Sequence, residues 1–489
     1  MLGSRPWRLG NLGRALASLA VVLAAASDVA SASAPRLWCT AENAWIYKEP
    51  RRDDAPLGAL LRGDAVTLNG VERIPGKGCP GGFFAIQPRG YVCDDFAVTP
   101  ERRSRRVRGL QLLRRTSGAY PFQYAISDYA PMYRRLPTPT EVARFEGPLG
   151  RAGQRRELHP GHRGHERLAE ARPVAGSGTM PWFLRNAGSL RGAAEEEPFY
   201  KYAPAGTTLA YSGAFEVEGR TWLASPDGSL VPADRVRPFR HSRFRGVLLD
   251  ETMALPIAWL RKGSAARFYR EANTFEEGRK RWPLRAAIPL DPSTEPVTWQ
   301  GARYLRTREC EDPRGCAWVP EADATVARAV GQPWWQAGES ERSIVVSISK
   351  GTLVAYEGKR PVFATLVSPG AGGVPREGVD PVKASTTPLG VFRITYKVKH
   401  TTMSPEQGDP KNFWMAEVPH TQYFNMPFAL HAAYWHEDFG MPMSAGCINA
   451  SPLDAKWLFE WTKPHVPEAW GGATTGRENG LGSFMVVVR

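Results

Sequence analysis

The 489-residue sequence lacks any apolar run of the roughly 20 residues that a membrane-spanning helix needs. The apolar stretch near its start, Ala15–Ala26, has only twelve residues and follows three arginines, Arg5, Arg8 and Arg14. Small residues that suit cleavage come next, between Ala30 and Ala34. This pattern predicts a secretory signal peptide over residues 1–34. We therefore expect an exported, soluble protein of the periplasm or cell envelope.

Cysteine is also scarce, with six residues in the chain. Export makes disulfides possible, so each cysteine needs a partner or another role. Cys310 and Cys316 are close enough in sequence to staple a hairpin, and two of the three early cysteines are expected to pair: Cys39, Cys79 and Cys93. Cys447 has no other cysteine within about 130 residues. It is the best candidate for a free thiol with a chemical role.

Acidic residues are too few to balance the basic ones: 49 Asp and Glu stand against 63 Lys and Arg, for a net charge of +14. Such a charge favours an anionic partner. In an exported protein that partner is membrane phospholipid or cell-wall polymer. We therefore do not expect nucleic acid as a partner, and we count peripheral contact with a membrane among the expected interactions. Much of the excess lies in ERRSRRVRGLQLLRR (101–115), which we interpret as a solvated linker.

Three stretches share an apolar strand, a turn with Gly, a second strand and then acidic residues: GGFFAIQPRGYVCDDFAV (81–98), GRTWLASPDGSLVPADRV (219–236) and GARYLRTRECEDPRGCAWVPEADATV (301–326). Their Pro-Arg-Gly and Pro-Asp-Gly turns favour hairpins. This self-similarity predicts repeated small β units. The segments upstream of the first and third stretches resemble the openings of bacterial SH3-like modules. We predict SH3-like β domains at 35–100 and 251–340, with a linker and a second small β unit at 101–250.

From Ser343 onward the chain alternates short apolar segments with turns, and six segments are predicted to form strands: SIVVSIS, TLVAYEG, RPVFATLVS, TTPLGVFRITYKV, FALHA and SFMVVVR. One helix is predicted after Cys447, with Ser451 as N-cap, Pro452 in its first turn and Asp454 completing a capping box. Its apolar face is expected to contain Leu453, Trp457, Leu458 and Trp461. The fold class is therefore mainly β, with a C-terminal β-sandwich or barrel domain at 341–489.

Cys447 lies in SAGCINAS (444–451). A catalytic cysteine needs a base for its proton and backbone donors for an oxyanion. His431, sixteen residues earlier, is the candidate base, and Ala445, Gly446 and Cys447 offer consecutive N–H groups. A zinc site from His431, His436 and Cys447 is an alternative, although the spacing is not H-E-x-x-H and no second cysteine is near. A structural thiol is the third possibility, and residue chemistry alone leaves all three open.

The stretch HAAYWHEDFGMPMSAGCINASPLDAKWLFEW (431–461) resembles the active-site segment of the L,D-transpeptidases, whose catalytic domain is of the YkuD type. In that family a His is followed by Ser/Thr-His-Gly-Cys, an apolar residue, and Asn or Arg. TTPLG (386–390) resembles the family's Thr-Pro-x-Gly turn, and ISKGTLVAYEGKRPVFATLVSPG resembles its opening strands. The three motifs occur in the family's order and cover roughly 343–489, so the first 340 residues lie outside the resemblance.

The resemblance implies that Cys447 is the nucleophile and His431 the base, with the carbonyl of Ala432 orienting the imidazole. The N–H groups of Gly446 and Cys447 would hold the oxyanion. Six further residues would shape or line the substrate cleft: Ser444, Asn449, Trp435, Tyr423, Phe424 and His436. No metal and no organic cofactor is implied.

One position departs from the family pattern, because the His before Gly-Cys is Ala445 here. His436 is the candidate to take part of its role. The implied reaction is attack of Cys447 on the carbonyl between the third, diamino-acid residue and the terminal D-alanine of a peptidoglycan stem tetrapeptide. A stem amine, a free D-amino acid, water or a lysine of an envelope protein could then accept the acyl group. The alternatives are an L,D-carboxypeptidase and a wall-binding protein whose turnover is weak or lost through Ala445.

Overall fold

The computed structural model describes residues 34–489 except 114, 159–163, 188–189, 191–196, 262, 331–337, 339–340 and 405–413. The predicted signal peptide lies outside the described residues up to position 33. Within the described residues, no helix is both long and apolar enough to cross a membrane. Strands dominate, as the sequence predicts.

A first β unit (36–99) contains seven strands: β1 (Arg36–Cys39), β2 (Asn43–Tyr47), β3 (Gly58–Leu61), β4 (Ala65–Thr67), β5 (Phe83–Ala85), β6 (Tyr91–Cys93) and β7 (Val98–Thr99). Strand β1 lies between β4 and β7 in a three-stranded sheet, while β3, β2, β6 and β5 are neighbours in a second sheet. A disulfide joins Cys79 to Cys93, and Cys39 is free and buried. Two of the three early cysteines therefore pair, as expected.

The basic run at 101–115 forms helix α1 (Arg105–Leu112), so the prediction of a solvated linker is wrong. The Ser104 side chain caps the helix by accepting a hydrogen bond from the Val107 N–H. Val107 and Leu110, one turn apart, are buried, and Leu110 packs with Phe183. These two apolar residues, spaced by one helical turn, are enough to pack a short basic helix against the protein. Among so many arginines, the pair does not stand out in the sequence.

The described residues of the second β unit (123–238) form eight strands: β8 (Gln123–Ser127), β9 (Ala130–Tyr133), β10 (Phe199–Ala203), β11 (Thr208–Tyr211), β12 (Gly213–Val217), β13 (Arg220–Ala224), β14 (Leu230–Pro232) and β15 (Val236–Pro238). It also contains helix α2 (Pro139–Glu146) and short 3₁₀ helices at Gly147–Leu149, Trp182–Ala187 and Ala233–Arg235. Its sheets have the orders β11-β8-β15 and β10-β9-β14-β13-β12.

The third β unit (257–327) also has eight strands: β17 (Ile257–Leu260), β18 (Ala265–Glu271), β19 (Thr274–Trp282), β20 (Ala287–Pro289), β21 (Val297–Trp299), β22 (Ala302–Arg306), β23 (Ala317–Pro320) and β24 (Ala324–Ala327). A 3₁₀ helix at Glu321–Asp323 precedes β24, and β16 (Val247–Leu248) precedes the unit. The sheet orders are β20-β17-β24 and β19-β18-β23-β22-β21. The predicted Cys310–Cys316 disulfide is present.

The three units repeat one topology. In each, the first strand is the centre of a three-stranded sheet that also contains the last strand. The three hairpins predicted from the sequence are all present, as the antiparallel pairs β5–β6, β13–β14 and β22–β23. The repetition arises from sequence because each copy carries the same hairpin turn between two short apolar strands. The SH3-like character of the units and the proposed domain limits stay predictions.

The C-terminal region, apart from 405–413, contains ten strands: β25 (Arg342–Ser347), β26 (Thr352–Glu357), β27 (Arg360–Leu366), β28 (Gly390–Arg393), β29 (Tyr396–Met403), β30 (Met415–Asn425), β31 (Phe428–Ala432), β32 (Ile448–Ala450), β33 (Gly472–Thr474) and β34 (Phe484–Val488). Helix α3 (Pro381–Ala384) is short, and helix α4 (Pro452–Trp461) follows Cys447 as predicted. One sheet has the order β16-β27-β26-β25-β34-β28. A core of both sheets and α4 includes Ile344, Leu430, Ile448 and Leu458.

The other sheet has nine strands, in the order β32-β31-β30-β29-β33-β3-β2-β6-β5, and so joins the C-terminal region to the first β unit. The junction pairs Gly58 with Ala473 and Ala59 with Gly472. A Cβ atom on Gly58 would lie 2.3 Å from the Gly472 carbonyl oxygen, so only glycine permits this close approach. Small residues at the junction therefore make one continuous sheet possible.

Helix α4 differs from its prediction in two details. The Ser451 side chain accepts the Asp454 N–H, as expected of an N-cap, but the Asp454 carboxylate accepts hydrogen bonds from Gly246 N–H and Thr365 Oγ1 instead of completing a capping box. The buried face comprises Pro452, Asp454, Ala455, Leu458 and Phe459, whereas Leu453 is exposed. The buried side of the helix is the side that faces the two sheets. The apolar pattern of the helix alone does not specify which side this is.

Candidate active site

The ladder of the nine-stranded sheet brings Cys447 and His431 to one face. Strands β31 and β32 are parallel, and His431 is opposite Asn449. Because side chains alternate along a strand, Cys447 and Asn449 share the face that carries Ala429 and His431. Tyr423 on β30 is opposite Ala429 and shares that face too. The return of the chain from β31 to β32 thus juxtaposes two residues that are sixteen positions apart.

The Cys447 thiol is free and partly buried. Burial raises its pKa to about 11, although the Ala429 backbone acts in the opposite direction. The thiol is therefore protonated at neutral pH and becomes a good nucleophile only when a base removes its proton.

His431 is the base that the geometry offers. Its side chain is 3% exposed, and burial lowers its pKa to about 4, so the imidazole is neutral at pH 7. Nδ1–H donates to the Ala432 carbonyl oxygen at 3.0 Å, the contact that the sequence resemblance implies. With the hydrogen on Nδ1, Nε2 has a free lone pair and can accept a proton.

The loop before Cys447 is held by Ser444. Its Oγ accepts the Gly446 N–H at 3.1 Å and donates to the Cys447 carbonyl oxygen. Gly446 has φ = 128°, and a Cβ there would lie 2.5 Å from Cε1 of Phe428, so glycine is required. In this conformation Ser444 occupies the Gly446 N–H, and the role of that donor toward an oxyanion stays a prediction.

Asn449 and His436 form a buried pair rather than a substrate surface. His436 is fully buried, and its Nδ1 accepts the Asp438 N–H at 3.2 Å. Its Nε2 then carries the hydrogen and lies 2.9 Å from Nδ2 of Asn449, so the Asn449 amide accepts this hydrogen when it is turned with its oxygen toward the ring. Burial lowers the pKa of His436 to about 3. Both side chains are buried, so the prediction that they line the cleft is wrong, and His436 contacts the Asn449 side chain on the face that carries Cys447.

Trp435 is also buried, with 4% exposure, so its predicted place in the cleft is wrong. Its ring centroid lies 6.0 Å from that of His431 and 6.0 Å from that of His165, which belongs to the second β unit. The second β unit covers this segment further, since the rings of Tyr124 and Tyr434 stack at 3.7 Å. Trp435 therefore forms the wall behind His431.

The adjacent residues Tyr423 and Phe424 point to opposite faces of the sheet. Tyr423 is partly exposed, and burial together with the nearby Cys447 charge raises its pKa to about 12. Phe424 is 3% exposed and packs in the core, 5.5 Å from the Phe392 ring. The prediction that Phe424 lines the cleft is therefore wrong, because the period of two assigns it to the core.

Sequence reasoning missed Tyr396 and the two threonines of TTPLG as individual contacts. Tyr396 on β29 is opposite Tyr423, and the two rings stack with centroids 6.0 Å apart. The Thr387 hydroxyl oxygen accepts the Gly370 N–H at 2.9 Å, and the Thr386 carbonyl oxygen would lie 3.1 Å from a Cβ on Gly446. The TTPLG motif contains the two threonines and could have indicated them. No motif in the sequence around Tyr396 indicated that residue.

The zinc alternative finds no support. In the part of the chain that the structure describes, no group of three or more His, Cys, Asp or Glu side chains could hold a metal ion. Both ring nitrogens of His436 already have hydrogen-bond partners.

Residues 341–478 match the family model of the L,D-transpeptidase catalytic domain, YkuD. The match includes Cys447, His431 and the loop between them. The match lies within the C-terminal region, and the three β units lie before it. No curated protein matches the chain significantly.

Several solved L,D-transpeptidases are similar to this chain. One from Xylanimonas cellulosilytica is 21% identical, with 31% of this chain and 62% of that chain covered and a TM-score of 0.21. The catalytic domain from E. faecium is 19% identical, with 30% and 98% covered and a TM-score of 0.22. One from Mycobacterium smegmatis is 16% identical, with 41% and 99% covered and a TM-score of 0.23. The chain spans about three fifths of the length of the first.

Proposed function

We propose that the protein is a cysteine L,D-transpeptidase that acts on peptidoglycan stem tetrapeptides through an acyl-enzyme at Cys447. The observation that carries the proposal is the shared face of Cys447 and His431, with Nδ1–H donated to the Ala432 carbonyl oxygen and Nε2 left as base. The family match at 341–478 supports the same chemistry.

The first step follows from the charge state of the pair. With a thiol pKa of about 11 and an imidazole pKa of about 4, both groups are neutral at pH 7. Proton transfer from Sγ to Nε2 therefore accompanies attack of Sγ on the carbonyl carbon of the third stem residue. The Cys447 N–H, and that of Ala445 beside it, are the donors that we assign to the oxyanion, since Ser444 occupies the Gly446 N–H.

The acyl-enzyme forms when the bond from the carbonyl carbon to the D-alanine nitrogen breaks. The imidazolium of His431 returns its proton to the departing amine, and a thioester remains on Cys447. An acceptor amine from another stem then attacks the thioester and yields a 3→3 cross-link. A free D-amino acid or a protein lysine is the alternative amine, and an exported protein of the periplasm would meet all of them.

A second candidate is a wall-binding protein with weak or no turnover. The observations that favour it are the raised pKa of the Cys447 thiol and the exposed Ala445 in place of the family's His. An L,D-carboxypeptidase, in which water takes the acyl group, is the third possibility and uses the same acyl-enzyme.

The test is mass spectrometry of the purified protein incubated with disaccharide-tetrapeptide, beside Cys447→Ala and His431→Gln. Cross-linked dimers that lack one D-alanine, formed by the wild-type protein alone, establish transpeptidation. Tripeptide without dimers indicates a carboxypeptidase. An unchanged substrate, together with no acylation of Cys447 by a reactive β-lactam, refutes the proposed activity and favours the binding protein.

A further inference from the structure

Three aromatic side chains, which we call the aromatic row, extend from the catalytic face toward the first β unit: Tyr423, Tyr396 and Trp45. The Tyr423 and Tyr396 rings stack with centroids 6.0 Å apart and planes 9° apart. The Trp45 ring follows, 6.1 Å from that of Tyr396. Trp45 is 37% exposed, and both tyrosines are partly exposed.

The register of the nine-stranded sheet assigns the aromatic row to the face that carries Cys447. Trp45 is opposite Ala59, and Ala59 is opposite Gly472. Gly472 is in turn opposite Val398, two residues from Tyr396 on β29. Side chains directly opposite share a face, so the row and Cys447 are on the same side. A Cβ on Gly472 would lie 3.0 Å from the Tyr396 hydroxyl oxygen, so this tyrosine lies over the glycine.

A polar cavity adjoins the row. It has a volume of about 350 Å³, and Tyr396 forms part of its wall. Asn43, which is two residues from Trp45 on β2, lines it together with hydroxyl and charged groups of Arg62, Thr401 and Thr402. The row thus offers aromatic faces beside hydrogen-bonding groups. Both the first β unit and the C-terminal region contribute aromatic side chains and hydrogen-bonding groups.

Distances indicate what would lie over the row if a stem peptide reacts with Cys447. Adjacent strands are about 4.8 Å apart, so Tyr396 is about 14 Å from Cys447 across three strand spacings. The three stem residues up to the scissile carbonyl span about 10 Å when extended. A stem that crosses the strands would therefore bring the sugar that carries it over Tyr396 and Trp45.

We propose that the aromatic row binds the glycan of the substrate, with sugar rings stacked on Tyr396 and Trp45 and hydroxyl groups directed into the polar cavity. Sugar rings combine an apolar face of C–H groups with a hydroxyl rim, which matches aromatic side chains that have an apolar body and a polar tip. This inference rests on the proposed function for the orientation of the stem. It assigns the first β unit a part in substrate recognition.

Trp45→Ala tests the inference, because Trp45 is exposed and lies far from the reacting atoms. The matched control is Phe96→Ala, an aromatic in the same β unit that is 85% exposed and outside the row. We expect Trp45→Ala to raise KM for disaccharide-tetrapeptide about tenfold, the effect of losing one aromatic stack, with kcat unchanged. The free tetrapeptide should be processed equally by both variants and the wild-type protein. An equal effect on both substrates, or none on either, overturns the inference.

A binding measurement separates this inference from the proposed activity. Calorimetric titration of Cys447→Ala with the peptide-free disaccharide and with disaccharide-tetrapeptide requires no turnover. Glycan affinity that Trp45→Ala removes and Phe96→Ala keeps supports the glycan site, even if the wild-type protein proves inactive. Turnover by the wild-type protein without any glycan affinity overturns the glycan site and leaves the activity standing.

Discussion

Replacing Gly446 with alanine is expected to displace the loop that carries Cys447. The residue has φ = 128°, and the added Cβ would lie 2.5 Å from Phe428 Cε1 and 3.1 Å from the Thr386 carbonyl oxygen. A side chain in this backbone region costs about 1–3 kcal/mol. Overpacking against a buried ring adds about 1–3 kcal/mol. The total of about 2–6 kcal/mol is a large part of a typical folding free energy.

The strain can be relieved at a lower cost in free energy than unfolding if the loop moves away from Phe428. Such a movement also displaces Cys447. A displacement of about 1 Å at a reacting atom can lower a rate about 100-fold. We therefore expect Gly446→Ala to lose most of its acylation by a reactive β-lactam, followed by intact-protein mass spectrometry, while its thermal midpoint falls by a few degrees.

The control is Gly476→Ala, since Gly476 also has a positive φ, 156°, but no atom within 4 Å of an added Cβ. It should acylate at the wild-type rate. Adding Phe428→Leu to Gly446→Ala should restore part of the lost rate by relieving the clash. Wild-type acylation and stability in Gly446→Ala would refute the reasoning about this loop.

Three further predictions concern stability, each measured by urea unfolding. The free energy of unfolding should fall below pH 6.5, because burial lowers the pKa values of His420, His431 and His436, so that their imidazoles bind protons in the unfolded chain but not in the folded one. Each of the three contributes a loss of about 1.4 kcal/mol per pH unit. Equal urea midpoints at pH 7 and pH 5 would contradict this. Replacing both Cys79 and Cys93 by alanine should cost about 3 kcal/mol, since their disulfide closes a loop with a sequence separation of 14, and a double variant as stable as the wild-type protein would exclude that contribution. Asp454→Ala should cost about 2–4 kcal/mol because it leaves two buried donors without an acceptor, whereas Asp454→Asn keeps an acceptor and should lose less; equal losses would argue against the hydrogen bonds.

The local chemistry of the site was predictable wherever neighbours in sequence are neighbours in space. The Ser451 cap and the hairpin turns depend on residues within a few positions, whereas the contact of His431 with the Ala432 carbonyl was implied by the family resemblance. The orientations of the aromatic side chains near Cys447 were not predictable in the same way. Strand β30 was not predicted at all, because its sequence, MAEVPHTQYFN, has no regular alternation of apolar and polar residues and contains Pro419. Without that strand, the opposite orientations of Tyr423 and Phe424 had no basis.

The sequence by itself determined the mainly β character, the repeated hairpins, the Cys310–Cys316 disulfide and a free Cys447 preceded by His431, since these follow from residue type and short spacing, whereas it left open which two of the three early cysteines pair. Tertiary structure alone decided which groups reach solvent. It buried His436 and Trp435, used the Gly446 N–H to hold Ser444, and joined the first β unit to the sheet that carries His431. Burial and strand register depend on residues far apart in the chain, and they determine the pKa values and the surface on which this site would act.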